Sequence, residues 1–257
     1  MKLNVTIIQS DLVWENVKVN LDNFSRKIYS ISEETDLIVL PEMFATGFTM
    51  QPDKFSVFQD EIIQKLSEFA SEKNAVVTAT LITEREKKYF NTLIWMYPDG
   101  TYKTYDKRHL FSFAGENEYY TQGSEHLIVN IKEWRIKPLI CYDLRFPVWS
   151  RNRNDYDLLI YLAAWPERRN DAWKTLLKAR AIENQAYVIG VNRVGNDGNN
   201  IYHSGDSGIY NPKGKLISRT KAHEESIETV NLDLADLNAF REKFPAGKDA
   251  DDFTIHP

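Results

Sequence analysis

Two hydrophobic rhythms alternate along this chain. Leu3 to Gln9 is a short apolar run of the kind a buried strand produces. Between Asn16 and Ile31, the residues Leu21, Phe24, Ile28 and Ile31 recur at spacings of three and four, which predicts one face of a helix. Leu37 to Leu40 predicts a second buried strand, closed by Pro41. Asp60 to Lys73 then sets Ile62, Ile63, Leu66, Phe69 and Ala70 on one stripe of a second helix.

The middle and end of the chain are richer in strands. Ala75 to Leu81 is β-branched and apolar, and Tyr89 to Tyr97 and Thr101 to Asp106 flank the turn tripeptide Pro98-Asp99-Gly100, which predicts a hairpin. Leu127 to Ile131 and Arg135 to Ile140 give two strands around Glu133-Trp134, and Leu158 to Ala163 gives another. A helix follows from Asn170 to Asn184. Tyr187 to Asn192, Ser207 to Tyr210, Lys215 to Ser218 and Ser226 to Asn231 continue the strands, with Pro212-Lys213-Gly214 as a turn. Strands that are apolar on both faces and mixed with helices predict an α/β layered sandwich. The 11 glycines and 9 prolines are scattered, so no linker divides the chain, and a single domain over residues 1–257 is expected.

Composition narrows the function classes. With 32 Lys and Arg against 37 Asp and Glu the net charge is −5, and no basic tract occurs, which argues against a nucleic-acid partner. The single cysteine, Cys141, excludes an internal disulfide, and no Cys/His cluster offers a metal site. The start lacks the apolar stretch of a signal peptide and no run approaches a membrane span, so a cytoplasmic protein acting away from membranes is expected.

Three polar residues stand where buried strands give out. Glu42 follows Leu37-Ile38-Val39-Leu40-Pro41, Cys141 ends Lys137-Pro138-Leu139-Ile140, and Lys107 follows the second strand of the hairpin. Open α/β folds place ligands at such exits. Each residue alone reads more readily as structural: a surface acid, a small buried thiol, a solvated lysine. As a set they carry the chemistry of amide hydrolysis without metal or cofactor. A thiolate adds to an acyl carbon, a carboxylate takes the thiol proton and later activates water, and an ammonium meets the developing oxyanion. The backbone N–H of Tyr142 is a second oxyanion donor in this scheme. The positive end of a helix beginning shortly after Cys141, and nearby cations, are expected to favour the thiolate.

The segments Leu40-Pro41-Glu42-Met43-Phe44, Tyr105-Asp106-Lys107-Arg108-His109-Leu110-Phe111 and Leu139-Ile140-Cys141-Tyr142-Asp143-Leu144-Arg145-Phe146-Pro147 resemble, in order, the three signature segments of the nitrilase superfamily. A fourth block, Trp173 to Val188, resembles the segment that follows the nucleophile, so the resemblance covers nearly the whole chain. It implies a four-layer αββα sandwich, commonly a homodimer. It also implies Glu42 as general base, Lys107 as oxyanion stabiliser and proton donor, and Cys141 as nucleophile. The family's second glutamate falls on Glu116, with Glu118 as its competitor.

Cys141-Tyr142-Asp143 is similar to the amidase pattern rather than the Cys-Trp-Glu of nitrile hydrolysers. Ala164-Trp165-Pro166, Asn184 to Tyr187, Asn192 to Gly195 and Arg241 to Pro245 resemble the bacterial omega-amidase branch, which implies a small 2-oxo acid amide as substrate. Another small linear amide, or an N-carbamoyl compound, is the alternative within this chemistry; a non-catalytic scaffold is the alternative outside it. A substrate carboxylate calls for a cation, for which Arg145 is the candidate, although pairing with Asp143 is an equal use for it. Trp165, Phe44 and Phe48 are candidate pocket walls. The loops at Asp197 to Asn200 and Gly205 to Gly208 are expected simply to connect strands, and the acidic tail after Phe244 either docks across a dimer or stays loose.

Overall fold

The protein is described by a computed structural model covering residues 1–255. Strands β1 (Lys2–Gln9), β2 (Leu37–Val39), β3 (Val76–Arg85), β4 (Lys88–Met96) and β5 (Tyr102–Asp106) build one sheet. The second contains β6 (Val129–Ile131), β7 (Trp134–Ile140), β8 (Leu158–Ala163), β9 (Tyr187–Asn192) and, beyond a small ribbon of β10 (Val194–Asn196) and β11 (Tyr202–Ser204), the edge strand β12 (Gly208–Tyr210). The last strand, β13 (Ser226–Asp233), returns to the first sheet and pairs antiparallel with β1 along its full length. The strand orders are β13-β1-β2-β3-β4-β5 and β12-β9-β8-β7-β6.

Long helices supply three of the four parallel crossovers. α1 (Val17–Tyr29) connects β1 to β2, α2 (Gln59–Lys73) connects β2 to β3, and α3 (Asn170–Asn184) connects β8 to β9. α1 starts on the side chain of Asn16, which accepts from the Val19 N–H, and α2 stops on Asn74 in the left-handed conformation. A fourth helix, α4 (Leu234–Lys243), follows β13.

Alternation along the strands explains the layering. Leu3, Val5, Ile7, Leu37, Val39, Leu93 and Trp95 meet Trp134, Ile136 and Leu139 of the second sheet in the central core. Their neighbours of opposite parity, Ile8, Ile38, Val77, Ala79, Ile94 and Met96, pack instead with Phe24, Ile28, Leu66 and Phe69 of the outer helices. On the far side, α3 lies so close to β9 that a Cβ on Gly190 would come within 2.4 Å of Leu177 and 2.6 Å of Trp173. The result is the predicted helix–sheet–sheet–helix sandwich.

The differences from the sequence reading have local causes. Lys215 to Ser218 is not a strand; only Leu216 bridges to Tyr210. The loop at 197–200 is the tip of the β10–β11 ribbon, where the Asp197 carboxylate accepts from the N–H groups of Asn199 and Ile201. α4 went unpredicted because it buries only Leu234 and Leu237. The tail lies against its own chain, with Phe253 beneath Arg153 and Ile255 against the central core. The last two residues of the expected domain, 256 and 257, lie outside the described residues. Among the described residues no helix is long and apolar enough to cross a membrane.

Candidate active site

The ends of the two sheets bring the strand-exit residues together. The loop after β2 crosses to the second sheet, where the Glu42 N–H donates to the Ala163 carbonyl at 3.4 Å, at the end of β8. Lys107 leaves β5 and donates its backbone N–H to the Asn91 carbonyl of β4 at 3.0 Å. Cys141 is the first residue past β7, and its φ of +40° turns the chain sharply out of the strand. An L-residue adopts that region only under constraint, and here it delivers the thiol to the cavity.

Glu42, Lys107 and Glu116 have no exposed surface, and Cys141 is buried. Lys107 Nζ donates to Glu42 Oε1 at 2.8 Å and to Glu116 Oε1 and Oε2 at 3.0 and 2.9 Å. The second oxygen of Glu42 accepts from the Ala164 N–H at 2.9 Å. Glu116 Oε2 also accepts from the Phe111 N–H at 2.5 Å, which folds the 111–116 loop onto the lysine. Glu118, its competitor, is exposed.

Burial alone pulls the Lys107 ammonium down, but the Glu116 and Glu42 carboxylates outweigh it and hold the lysine charged. Glu116 is pushed up by burial, against the pull of Lys107. The Cys141 thiol is pushed well above its ordinary range by burial and by the Glu42 charge, with Lys107 opposing. This corrects the expectation of a ready thiolate. The turn after Cys141 is only a 3₁₀ segment, Cys141–Arg145, and the thiol meets a carboxylate as well as a cation. In the resting protein the sulfur is a thiol, in a cavity that it shares with Glu42 and Ala164.

Glu42, Lys107 and Cys141 line a narrow cavity with Phe48, Phe111, Tyr142, Arg145, Ala164, Trp165, Pro166 and Arg169. It encloses about 20 Å³, room for about one water. A roomier cleft of about 410 Å³, between Arg151, Glu183, Gln185, Arg241 and Lys248, shares none of these residues and holds no nucleophile. Trp165 and Phe48 stand where the sequence reading put them, on the cavity wall, which Tyr142 also lines. Phe44 does not: it has no exposed surface and packs edge-on against Phe24 at 5.2 Å in the helix–sheet core. Left-handed turns at Met43 (φ +48°) and Gly47 (φ +76°) send Phe44 inward and bring Phe48 to the cavity, 4.9 Å from Lys107 Nζ. Arg145 does not pair with Asp143; its guanidinium lies over the Trp165 ring at 5.0 Å.

Asp143 is instead a buried anchor. Its carboxylate accepts from the His109 N–H at 3.0 Å, the Tyr105 hydroxyl at 2.7 Å and the Ile140 N–H at 3.0 Å, and pairs with His109 Nδ1 at 2.8 Å. The nucleophile turn is thereby tied to the loop that carries Lys107.

Two more residues escaped the sequence reading. Asn91 of β4 donates to Glu42 Oε1 at 2.8 Å and to Glu116 Oε1 at 3.3 Å, joining the two carboxylates. Its strand also carries Lys88 and Thr92, so nothing local singles it out. Arg169, on the cavity wall, lies in the charged run Glu167-Arg168-Arg169 and was not a candidate.

A protonated thiol, an acceptor and a locked ammonium at the C-terminal ends of strands constitute an apparatus for opening carbon–nitrogen bonds, and the chain belongs to the carbon-nitrogen hydrolase family, whose model matches residues 4–242. It is similar to omega-amidase YafV of Escherichia coli strain K12, with 46% identity over 253 residues, 98% of each chain. It is also similar to the 2-oxoglutaramate amidase of Bacillus subtilis strain 168, with 31% identity over 255 residues covering 97% of this chain and 98% of the relative. Among solved structures, XC1258 of Xanthomonas campestris, a CN-hydrolase superfamily protein with an arsenic adduct in the active site, superimposes with a TM-score of 0.97. It shares 37% identity, and each chain is covered completely. The nitrilase-type resemblance and the sandwich it implied are borne out.

Proposed function

We propose that this protein is an omega-amidase that hydrolyses the terminal amide of a small 2-oxo acid, such as 2-oxoglutaramate, through a thioester on Cys141. The observation that carries the reading is the Glu42 carboxylate, which lines one cavity with the Cys141 thiol and is bonded to Lys107 at 2.8 Å. The names of the relatives similar over the full chain supply the substrate class.

In the first half-reaction Glu42 takes the thiol proton as Cys141 Sγ attacks the amide carbon. Negative charge gathers on the carbonyl oxygen, where Lys107 Nζ and the Tyr142 N–H stabilise it. Collapse breaks the carbon–nitrogen bond. The leaving nitrogen takes a proton from Lys107, which recovers one from Glu42, and ammonia departs. In the second half-reaction Glu42 takes a proton from water, hydroxide adds to the thioester carbon, and the acid leaves as the thiol is re-formed. Glu116 is a positioning residue, holding Lys107 charged and in place.

The test is ammonia release from 2-oxoglutaramate by the purified protein and by Cys141→Ala, with circular dichroism to show that the variant is folded. Activity that survives in the folded variant overturns the mechanism. The same reading takes the protein to be cytoplasmic and to pair as a homodimer. Exposed Val148, Ile182 and Phe244 offer apolar surface for that pairing. Sedimentation of the purified protein tests the dimer.

A further inference from the structure

Arg145 and Arg169 both line the cavity that holds Cys141. Elsewhere in the fold Arg108 and Arg153 lie over Trp149 and Phe253, but several arginines meet acids: Arg135 and Arg241 pair with Asp157, Arg180 with Glu183 and Arg193 with Asp11, all within 2.9 Å. The two at the cavity rest on aromatic rings instead. Arg145 lies over Trp165 at 5.0 Å, and Arg169 lies over Phe111 at 5.1 Å and Phe113 at 6.0 Å. Such faces hold a guanidinium without satisfying the N–H donors in its plane.

Both arginines are set by one rigid residue. Trp165 is buried, its backbone N–H donates to Asn192 Oδ1 at 2.7 Å, and its indole N–H donates to the Arg169 carbonyl at 2.8 Å. Its ring carries Arg145. Half-buried Arg169 is held below its ordinary range by burial and by the neighbouring charges of Arg168 and Arg145. The mouth of the cavity is thus a crowded pair of cations, and its inner end holds two carboxylates against one ammonium.

We propose that Arg169 is a specificity-determining residue. Together with Arg145 it binds the carboxylate of the substrate's 2-oxo acid end and leaves the neutral amide to point inward at Cys141. The guanidinium fork matches a carboxylate in a way that an ammonium does not. The 20 Å³ cavity has no room for an acid amide of this size, so the outer wall moves on entry. Phe113, 77% exposed, backs that wall from outside, against Phe111 at 5.8 Å and Arg169 at 6.0 Å, and is free to yield. The substrate carboxylate then takes up the in-plane N–H donors that the aromatic rings leave unsatisfied.

The proposal rests on the omega-amidase reading, and the test separates the two. Ammonia release from 2-oxoglutaramate and from pentanamide, a neutral amide of the same chain length, is measured for the wild-type protein, Arg169→Gln and Arg169→Lys. Loss of a charge-assisted contact is expected to lower the ratio of the two kcat/KM values by about 30- to 100-fold in Arg169→Gln, through the KM for the oxo acid. Arg169→Lys should recover part of that ratio, as a point charge without the fork. A ratio within about threefold of wild type, or an equal loss on both substrates, overturns the assignment. A wild-type protein with no preference for the oxo acid defeats the omega-amidase reading itself. Calorimetric binding of 2-oxoglutarate to folded Cys141→Ala and Cys141→Ala/Arg169→Gln gives a second readout, independent of turnover. Unchanged affinity in the double variant also overturns the proposal.

Discussion

Replacing Asp143 by Asn tests whether the nucleophile turn is held by its carboxylate. The side chain has no exposed surface and serves four donor groups at 2.7 to 3.0 Å, two on His109 and one each on Tyr105 and Ile140. The amide keeps the shape but turns one acceptor into a donor. If the new NH₂ faces Ile140, that backbone N–H loses its partner; if it faces His109, the His109 N–H does. Leaving one such group unsatisfied costs about 1–3 kcal/mol, and the surviving contacts lose their charge assistance. A loss of about 2–4 kcal/mol follows, against about 3–5 kcal/mol for Asp143→Ala, which strands all four donors. For a chain of this size the Asn variant should melt about 5–15 °C lower. Urea unfolding followed by tryptophan fluorescence measures the change, since Trp149 donates to the same Tyr105 hydroxyl at 3.0 Å. The amidase rate should fall as well, because the tether between the Lys107 loop and Cys141 is gone. A destabilisation below about 1 kcal/mol together with an unchanged kcat would refute the anchoring role.

The Cys141 thiol, raised by burial and by Glu42, should react with iodoacetamide at a rate that climbs through the alkaline range with no plateau near neutrality. Glu42→Gln should be inactive on amides yet alkylate faster at a given pH; a thiolate plateau below pH 7 in the wild type contradicts both. His203, 3% exposed with an unpartnered Nδ1, is held down to about 4 by burial and the Arg193 charge. Its neutral form belongs to the fold, so the stability it contributes is complete above pH 6.5 and is lost as pH falls toward 4. The loss between pH 6.5 and 5 is about 2 kcal/mol, seen in urea midpoints and flattened in His203→Gln; an unflattened profile in that variant rules the residue out as the cause. Gly190→Ala should cost about 1–3 kcal/mol by overpacking Trp173 and Leu177. Gly247→Ala, with nothing within 4 Å, is the control, and equal urea midpoints for the two defeat the packing argument.

The sequence made the catalytic candidates visible because each stands at an abrupt end of a buried run: Glu42 after Pro41, Lys107 after Asp106, Cys141 after Ile140. Such breaks survive without knowledge of the fold. What failed depended on how a loop turns. Phe44 is two residues from Glu42 in sequence, but two left-handed turns around it bury Phe44 and leave only Phe48 of the two at the cavity. Asn91 was hidden because a buried amide in a strand has no local signature, and its partners Glu42 and Glu116 lie 49 and 25 residues away. Arg169 was hidden for the opposite reason: Glu167-Arg168-Arg169 has the signature of a solvated turn. The direction of the thiol's shift was misread because nearby cations show in the sequence, whereas the depth of burial does not.

That misreading bears on how the site works. Two carboxyl groups and one ammonium share the inner end of the site while Cys141 remains a thiol; a resting thiolate adds a further negative charge there. Burial magnifies the repulsion, since little water is present to screen it. In the proposed mechanism the thiol proton therefore leaves only when something else takes up charge, and that is the carbonyl oxygen of a bound amide turned toward Lys107 and the Tyr142 N–H. Deprotonation and attack become one event that depends on substrate. A free thiolate facing solvent, open to oxidation, is avoided. The same imbalance aligns the substrate. A carboxylate pushed toward Glu42 and Glu116 meets like charge, while one left at the mouth meets Arg145 and Arg169. A molecule with a neutral amide at one end and an anion at the other then has one favourable orientation, and in it the amide carbon is the end presented to Cys141.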